Sequence, residues 1–336
     1  MSVSLSLALV IAIALLTFIN CENEKRITLG PYKVDHISVS GLSSGGFFAV
    51  QFHVAYSSLV QGAAIFAGGP FYCAESNLVD AENKCMKGYA GGPNVDELVA
   101  LTRSDALLGY VDDPDKHLGD SRVYIFSGKD DTVVSPTVVK QLQSYYSYFI
   151  KPSNIVADYN VEAEHCFPTL NYGEACSTLA SPYIGSCNFD GAKYALQTIY
   201  GTTLKSGSAV AGNLFAFDQT PYFTSKTASI GEIGYIYIPT ACQKGTTTCK
   251  LHISFHGCQQ NLQYIGNSYA NNTGFNSWAE ANDVIVLYPY VVSSSVAPYN
   301  PNGCWDWWAY TDIFYGVKAG IQVQFIRNLV KQISGK

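Results

Sequence analysis

Charge is what this sequence has least of. Only 14% of its 336 residues are Asp, Glu, Lys or Arg, and the balance is acidic at -6. Neutralising a phosphate backbone needs clustered Lys and Arg, so nucleic acid is excluded as a partner class. Beyond residue 19 no uninterrupted apolar run is long enough to span a bilayer. No two cysteines have the C-x-x-C spacing and none stands with histidines at ligand intervals, so disulfides are favoured over zinc, and neither metal nor cofactor is expected. Internal repeats and low-complexity tracts are missing too, which removes solenoids and disordered arrays.

What is present suits a large packed fold. Apolar residues make up 48% of the chain, enough to bury a substantial core. Most of the 24 tyrosines and four tryptophans are expected in core and strands; the remainder suit a surface that meets carbohydrate, protein or polymer. An apolar run over residues 3–19, followed by Glu22-Asn23-Glu24-Lys25-Arg26, reads as a secretory signal peptide over residues 1–21, although it lacks a basic start. Ten cysteines in polar loop sequence fit export, and Asn271-Asn272-Thr273 makes Asn271 a glycosylation candidate. The mature chain, residues 22–336, is expected to be one extracellular domain, monomeric and free of the membrane once the signal is cleaved.

Strand-like runs alternate with helix-like ones, the signature of an α/β fold: a mostly parallel sheet with helices on both faces. Strands are predicted at 35–40, 60–66, 122–126, 155–161, 233–238, 250–255 and 284–288, and helices at 47–57, 136–148, 190–200, 275–281 and 313–333. Residues 68–119, rich in Gly and Cys, read as an irregular insertion forming a lid or rim. The small-residue stretch 201–212 reads as a linker.

Gly41-Leu42-Ser43-Ser44-Gly45 matches G-x-S-x-G, directly after a predicted strand and opening a helix, the context of a nucleophile elbow. A glycine-rich surface turn is the bland alternative. A serine hydroxyl needs a base to take its proton and a carboxylate to orient that base. Among six histidines, His165 falls just after a strand, where this fold places its base. Ser127-Gly128-Lys129-Asp130-Asp131 follows another strand; the G-x-x-D-x-x-V spacing selects Asp131 over Asp130, and the order Ser, Asp, His is the hydrolase order. Two N-H donors must face the developing oxyanion. Ser44 supplies one, and His256-Gly257-Cys258-Gln259-Gln260, after strand 250–255, offers the other at Cys258. That second loop follows the triad instead of preceding it, so the α/β-hydrolase order is expected to be circularly permuted, with the closing helix leading back to the elbow strand.

These blocks, with Ser181-Pro182-Tyr183-Ile184 and Asn300-Pro301-Asn302-Gly303-Cys304-Trp305-Asp306-Trp307-Trp308, make the chain resemble the secreted poly(3-hydroxybutyrate) depolymerases of the single-domain, permuted type. The resemblance implies Ser43, Asp131 and His165 as triad, Ser44 and Cys258 as oxyanion donors, and an aromatic subsite in residues 305–308. Asn302, Trp305 and Trp307 are the substrate-binding candidates, and the expected partner is a polyester or ester substrate. An esterase of acetyl, feruloyl or small soluble esters is the runner-up, and a catalytically silent binding protein the third reading. Short loops suggest the disulfides Cys73 with Cys85, Cys176 with Cys187 and Cys242 with Cys249. Cys258 with Cys304 would tie the tryptophan segment to the oxyanion loop, leaving Cys166 free.

Overall fold

The computed structural model describes residues 26–336, so the expected signal peptide and Cys21 lie outside the described residues. In chain order the strands are β1 (Arg26–Ile27), β2 (Val34–Leu42), β3 (Gly62–Phe66), β4 (Arg122–Phe126), β5 (Ile155–Asp158), β6 (Phe167–Thr169), β7 (Glu174–Ala175), β8 (Ile184–Ser186), β9 (Leu214–Asp218), β10 (Ile233–Tyr237), β11 (Cys249–Phe255) and β12 (Val284–Tyr288). The longer helices are α1 (Ser44–Ala55), α2 (Val95–Leu107), α3 (Pro136–Ser147), α4 (Gly191–Tyr200), α5 (Phe275–Asn282) and α6 (Ile321–Ser334).

Nine strands form one sheet in the order β1-β9-β10-β12-β11-β2-β3-β4-β5, while β6, β8 and β7 make a small second sheet. From β12 to β5 every neighbour runs parallel; β10 is antiparallel to both β12 and β9. With helices on both faces, central strands have no solvent side. All five residues of β3 and of β12 are buried, which is why they read as continuous apolar runs without alternation.

Late-made β11 lies beside early-made β2, with Phe255 opposite Gly41. Helix α6 returns to the start of β2, where Tyr32 N donates to Ile333 O at 2.7 Å and Lys336 Nζ to Asp35 O at 2.9 Å. The sheet is that of an α/β-hydrolase, circularly permuted.

Three readings of the chain need correction. Helix α6 begins at Ile321, not 313, because the Asp312 carboxylate accepts from Phe314 N and Ile321 N and diverts the segment between them into turns. Residues 68–119 are not wholly irregular: α2 forms there, its N-cap Asn94 accepting from Glu97 N and Leu98, Val99 and Thr102 buried along one side. Strand β9 follows the 201–212 stretch so closely that the Gly and Ser residues masked it; strands before and after that stretch share the same sheet.

Two histidines are built into this core as neutral rings. His252 on β11 has Nδ1 2.7 Å from Ser38 Oγ and Nε2 2.8 Å from Ser40 Oγ, both on β2. His53 on α1 reaches Tyr146 Oη at 3.0 Å and Ser121 Oγ at 3.2 Å. Burial pushes both imidazoles down from an ordinary 6.5 to about 3. Below pH 6.5 the unfolded chain therefore binds protons that the native state refuses, and stability falls as pH drops from about 6.5 towards about 3, by up to about 1.4 kcal/mol per pH unit for each histidine. Urea denaturation at several pH values between 7 and 5 should show this loss. His252→Gln should reduce the slope by one proton's share, and an unchanged slope would exclude His252 as a source.

Candidate active site

Strand β2 ends at Leu42 and α1 begins at Ser44, leaving Ser43 as the single joint. Its backbone sits at φ 56° and ψ -122°, a conformation that costs a residue with a Cβ about 1–3 kcal/mol. Bonds from Ser43 N to Phe66 O and from Phe47 N to Ser43 O, both 2.9 Å, hold it there. Space demands the flanking glycines: a Cβ on Gly41 would lie 2.1 Å from Gly45 O, and one on Gly45 would lie 2.3 Å from Phe255 O. Ser43 remains partly exposed on the wall of a large cavity.

Asp131 and His165 meet. His165 Nδ1 donates to Asp131 Oδ2 at 2.8 Å, while Asp131 Oδ1 accepts from Val133 N and Val134 N at 2.9 and 2.8 Å. Three donors on one carboxylate fix its rotamer and leave His165 with Nε2 for the cavity, which it lines together with Ser43. Asp130 is exposed, whereas Asp131 is 7% exposed. Glu164 was not anticipated. Its carboxylate accepts from Thr132 Oγ1 at 2.6 Å, Thr132 N at 3.2 Å and His165 N at 2.8 Å, clamping the loop of Asp131 to that of His165. Adjacency to His165 was the only sign of it in the sequence.

In the loop after β11, each neighbour of the Cys258 N-H is occupied. Gly257 N donates to Gln260 Oε1 at 2.7 Å, Gln259 N to Asn302 O at 2.7 Å, and Gln260 N to Gly257 O at 3.3 Å. Among the described residues the Cys258 N-H has no acceptor, and Cys258 lines the same cavity as Ser43. The Ser44 N-H, first of α1, has no acceptor within its own helix. His256 braces the loop as a neutral ring: Nδ1 donates to Gly257 O at 2.7 Å and Nε2 accepts from Val291 N at 3.4 Å. Burial lowers its pKa to about 4.

The cavity measures about 930 Å³ and is walled mainly by apolar groups, including Leu78, Met86, Leu179, Tyr299 and Trp308. Asn302 lines it, its Oδ1 accepting from Gln259 Nε2 at 3.1 Å. Trp307 lines it as well, but is only 6% exposed and stacks on Phe47 at 4.0 Å. Trp305 does not belong to this wall: it is 0% exposed, packed against Phe48 and Phe255 in the core. Its place in the wall is taken by Trp308. What shapes the segment is Asp306, whose buried carboxylate accepts from the N-H groups of Trp308, Ala309, Tyr310 and Thr311 and from Thr311 Oγ1. Burial raises its pKa to about 6 against the pull of those bonds.

Four disulfides join Cys73 to Cys85, Cys176 to Cys187, Cys242 to Cys249 and Cys258 to Cys304. The last ties the loop after β11 to the tryptophan segment. Cys166 is free and buried, and its thiol is pushed up to about 12 by burial and, less, by the charges of Asp131 and Glu164.

Placement of the tryptophans separates packing from lining. Trp305→Ala should cost about 3–5 kcal/mol, as for a large side chain deleted from a core. Trp308→Ala, at a partly exposed position, should cost clearly less; comparable losses in urea denaturation would put both rings in the core.

No family model matches the chain. It is 43% identical over 314 residues to a poly(3-hydroxybutyrate) depolymerase of Delftia acidovorans, covering 92% of this chain and 62% of that protein. The chain thus spans less than two thirds of that relative's length. It is 36% identical over 314 residues to a polyhydroxybutyrate depolymerase of Talaromyces funiculosus, covering 88% of this chain and 89% of that one. A crystal structure of PHB depolymerase from Penicillium funiculosum superposes with a TM-score of 0.84 at 33% identity, covering 92% of this chain and 99% of that one. A PHB depolymerase variant complexed with an R3HB trimer superposes with a TM-score of 0.82 at the same identity and coverage. On these likenesses and the permuted sheet, the chain belongs to the poly(3-hydroxybutyrate) depolymerase family.

Proposed function

We propose that this chain is a secreted serine esterase that hydrolyses poly(3-hydroxybutyrate)-type polyester or its oligomers, its mature part from residue 22 forming one catalytic domain. The observation that carries the reading is one cavity wall bearing Ser43, His165 and the open Cys258 N-H together. Ser43 Oγ attacks the ester carbonyl carbon as His165 Nε2 takes the hydroxyl proton. The C=O pair moves onto oxygen, which the N-H groups of Ser44 and Cys258 stabilise. Collapse breaks the C-O bond to the leaving alkoxide, and His165 returns the proton to it. Water, deprotonated by His165, then attacks the acyl-enzyme and frees Ser43. Asp131 holds the imidazole tautomer and stays ionised.

Substrate class follows from the wall. A cavity of about 930 Å³ with few charged groups suits several apolar ester units better than a charged or sugar-rich ligand. Binding of an R3HB trimer by a structural relative supports the same class. Four disulfides support an extracellular location. Asn271, exposed on the short helix Ser268–Asn272, is open to glycosylation.

Ser43→Ala, His165→Ala and Asp131→Asn should each lower kcat on p-nitrophenyl butyrate, and clearing of a polyester suspension, by about 1,000-fold or more, since triad members act as a unit. Asp130→Asn should leave both within about twofold. If Asp130→Asn proved the damaging change, the acid would be misassigned.

A further inference from the structure

We infer that Gln260 is a positioning residue that sets the oxyanion loop against the catalytic base, a role that rests on the esterase reading above. Its side chain is fully buried, yet it is an amide, so its place in the core depends on filled hydrogen bonds. Oε1 accepts from Gly257 N at 2.7 Å; Nε2 donates to Pro182 O at 2.9 Å and Tyr183 O at 3.0 Å. Tyr183 O accepts in turn from Phe167 N at 2.9 Å, two residues after His165. One amide therefore links the loop that presents the Cys258 N-H to the start of β6, two residues after the base. By consuming the Gly257 N-H, it also leaves Cys258 as the donor facing the cavity.

A second tie runs alongside. Tyr183 Oη donates to Gln259 Oε1 at 2.8 Å, and Gln259 adopts φ 58° beside Cys258. Gly257 is pressed close to the nucleophile, a Cβ there falling 3.4 Å from Ser43 Cβ. These contacts keep the loop beside the nucleophile, and the Gln260 amide fixes the direction of its N-H groups relative to the base. In the transition state one oxygen must meet the Cys258 N-H while another receives the His165 proton, and both requirements are met only if loop and base are registered to a fraction of an ångström.

The test uses the full mature chain with p-nitrophenyl butyrate, active sites being titrated with a fluorophosphonate. Gln260→Met keeps the length and removes all three bonds. It should lower kcat per titrated site about 10–100-fold, with KM within about twofold. Inhibition by a trifluoromethyl ketone, which forms a tetrahedral oxyanion on the serine, should weaken by the same factor as kcat/KM. A purely structural role would instead reduce melting temperature and titrated fraction while leaving kcat per site unchanged, and that result would overturn the inference, as would a change in KM alone. Gln260→Glu retains the acceptor for Gly257 N but has at most one proton for two carbonyls, so an intermediate loss of kcat is expected. Should Gln260→Met fail to fold, the Glu variant decides by the same criterion. A wild-type chain that cleaves no ester would bring down the esterase reading and this inference with it.

Discussion

The first turn of α1 comes so close to the end of β11 that no side chain fits between them at Gly45, and the rest of the site is arranged around that approach. Ser43 is forced into a left-handed backbone because the chain must turn from β2 into α1 within one residue while its neighbours touch backbone on both sides. Strain at Ser43 is offset by packing of the helix behind it, where Phe47, Phe48 and Phe52 are all buried. The same approach delivers the loop after β11 to Ser43, so the proposed oxyanion donors and nucleophile share one rigid support instead of being brought together by separate loops.

Much of this was legible in the sequence, for a definable reason. G-x-S-x-G after a strand specifies a local geometry, and the glycines there answer to contacts a few residues or one strand away. Asp131 and His165 each follow a strand, and a parallel sheet places the C-terminal ends of its strands along one edge, so their meeting follows from order alone. Trp305 was misread because sequence spacing does not tell which face of an irregular segment a ring takes. Asp306 decides it: its carboxylate gathers four successive N-H groups, turning Trp307 and Trp308 towards the cavity and leaving Trp305 in the core. Glu164 and Gln260 escaped notice for a related reason. Both bond backbone atoms, and backbone offers no pattern of residue types to read.

Polar groups inside this protein serve mainly as fasteners between segments distant in the chain. His252 joins β11 to β2, His256 holds the loop after β11 against Val291, and Glu164 joins the loop of Asp131 to that of His165. Each is buried and fully engaged, which suits neutral rings and well-bonded carboxylates better than free charge. Scarcity of charge in the composition has a counterpart in the interior, where orientation is set by imidazole, amide and hydroxyl groups and by a few carboxylates, those of Asp131, Glu164 and Asp306, each held by several donors.

Circular permutation also sets a timetable. The proposed nucleophile, acid and base are all present in a nascent chain once residue 165 has emerged, and β3 can already pair with one edge of β2. The other edge belongs to β11, which is made last among the strands that touch the site. Until that strand arrives, β2 keeps a bare edge, Gly45 has nothing to press against, and the Cys258 donor does not yet exist. On the proposed assignment, a growing chain carries the triad side chains and the Ser44 N-H but lacks the second oxyanion donor until residue 258 has been made.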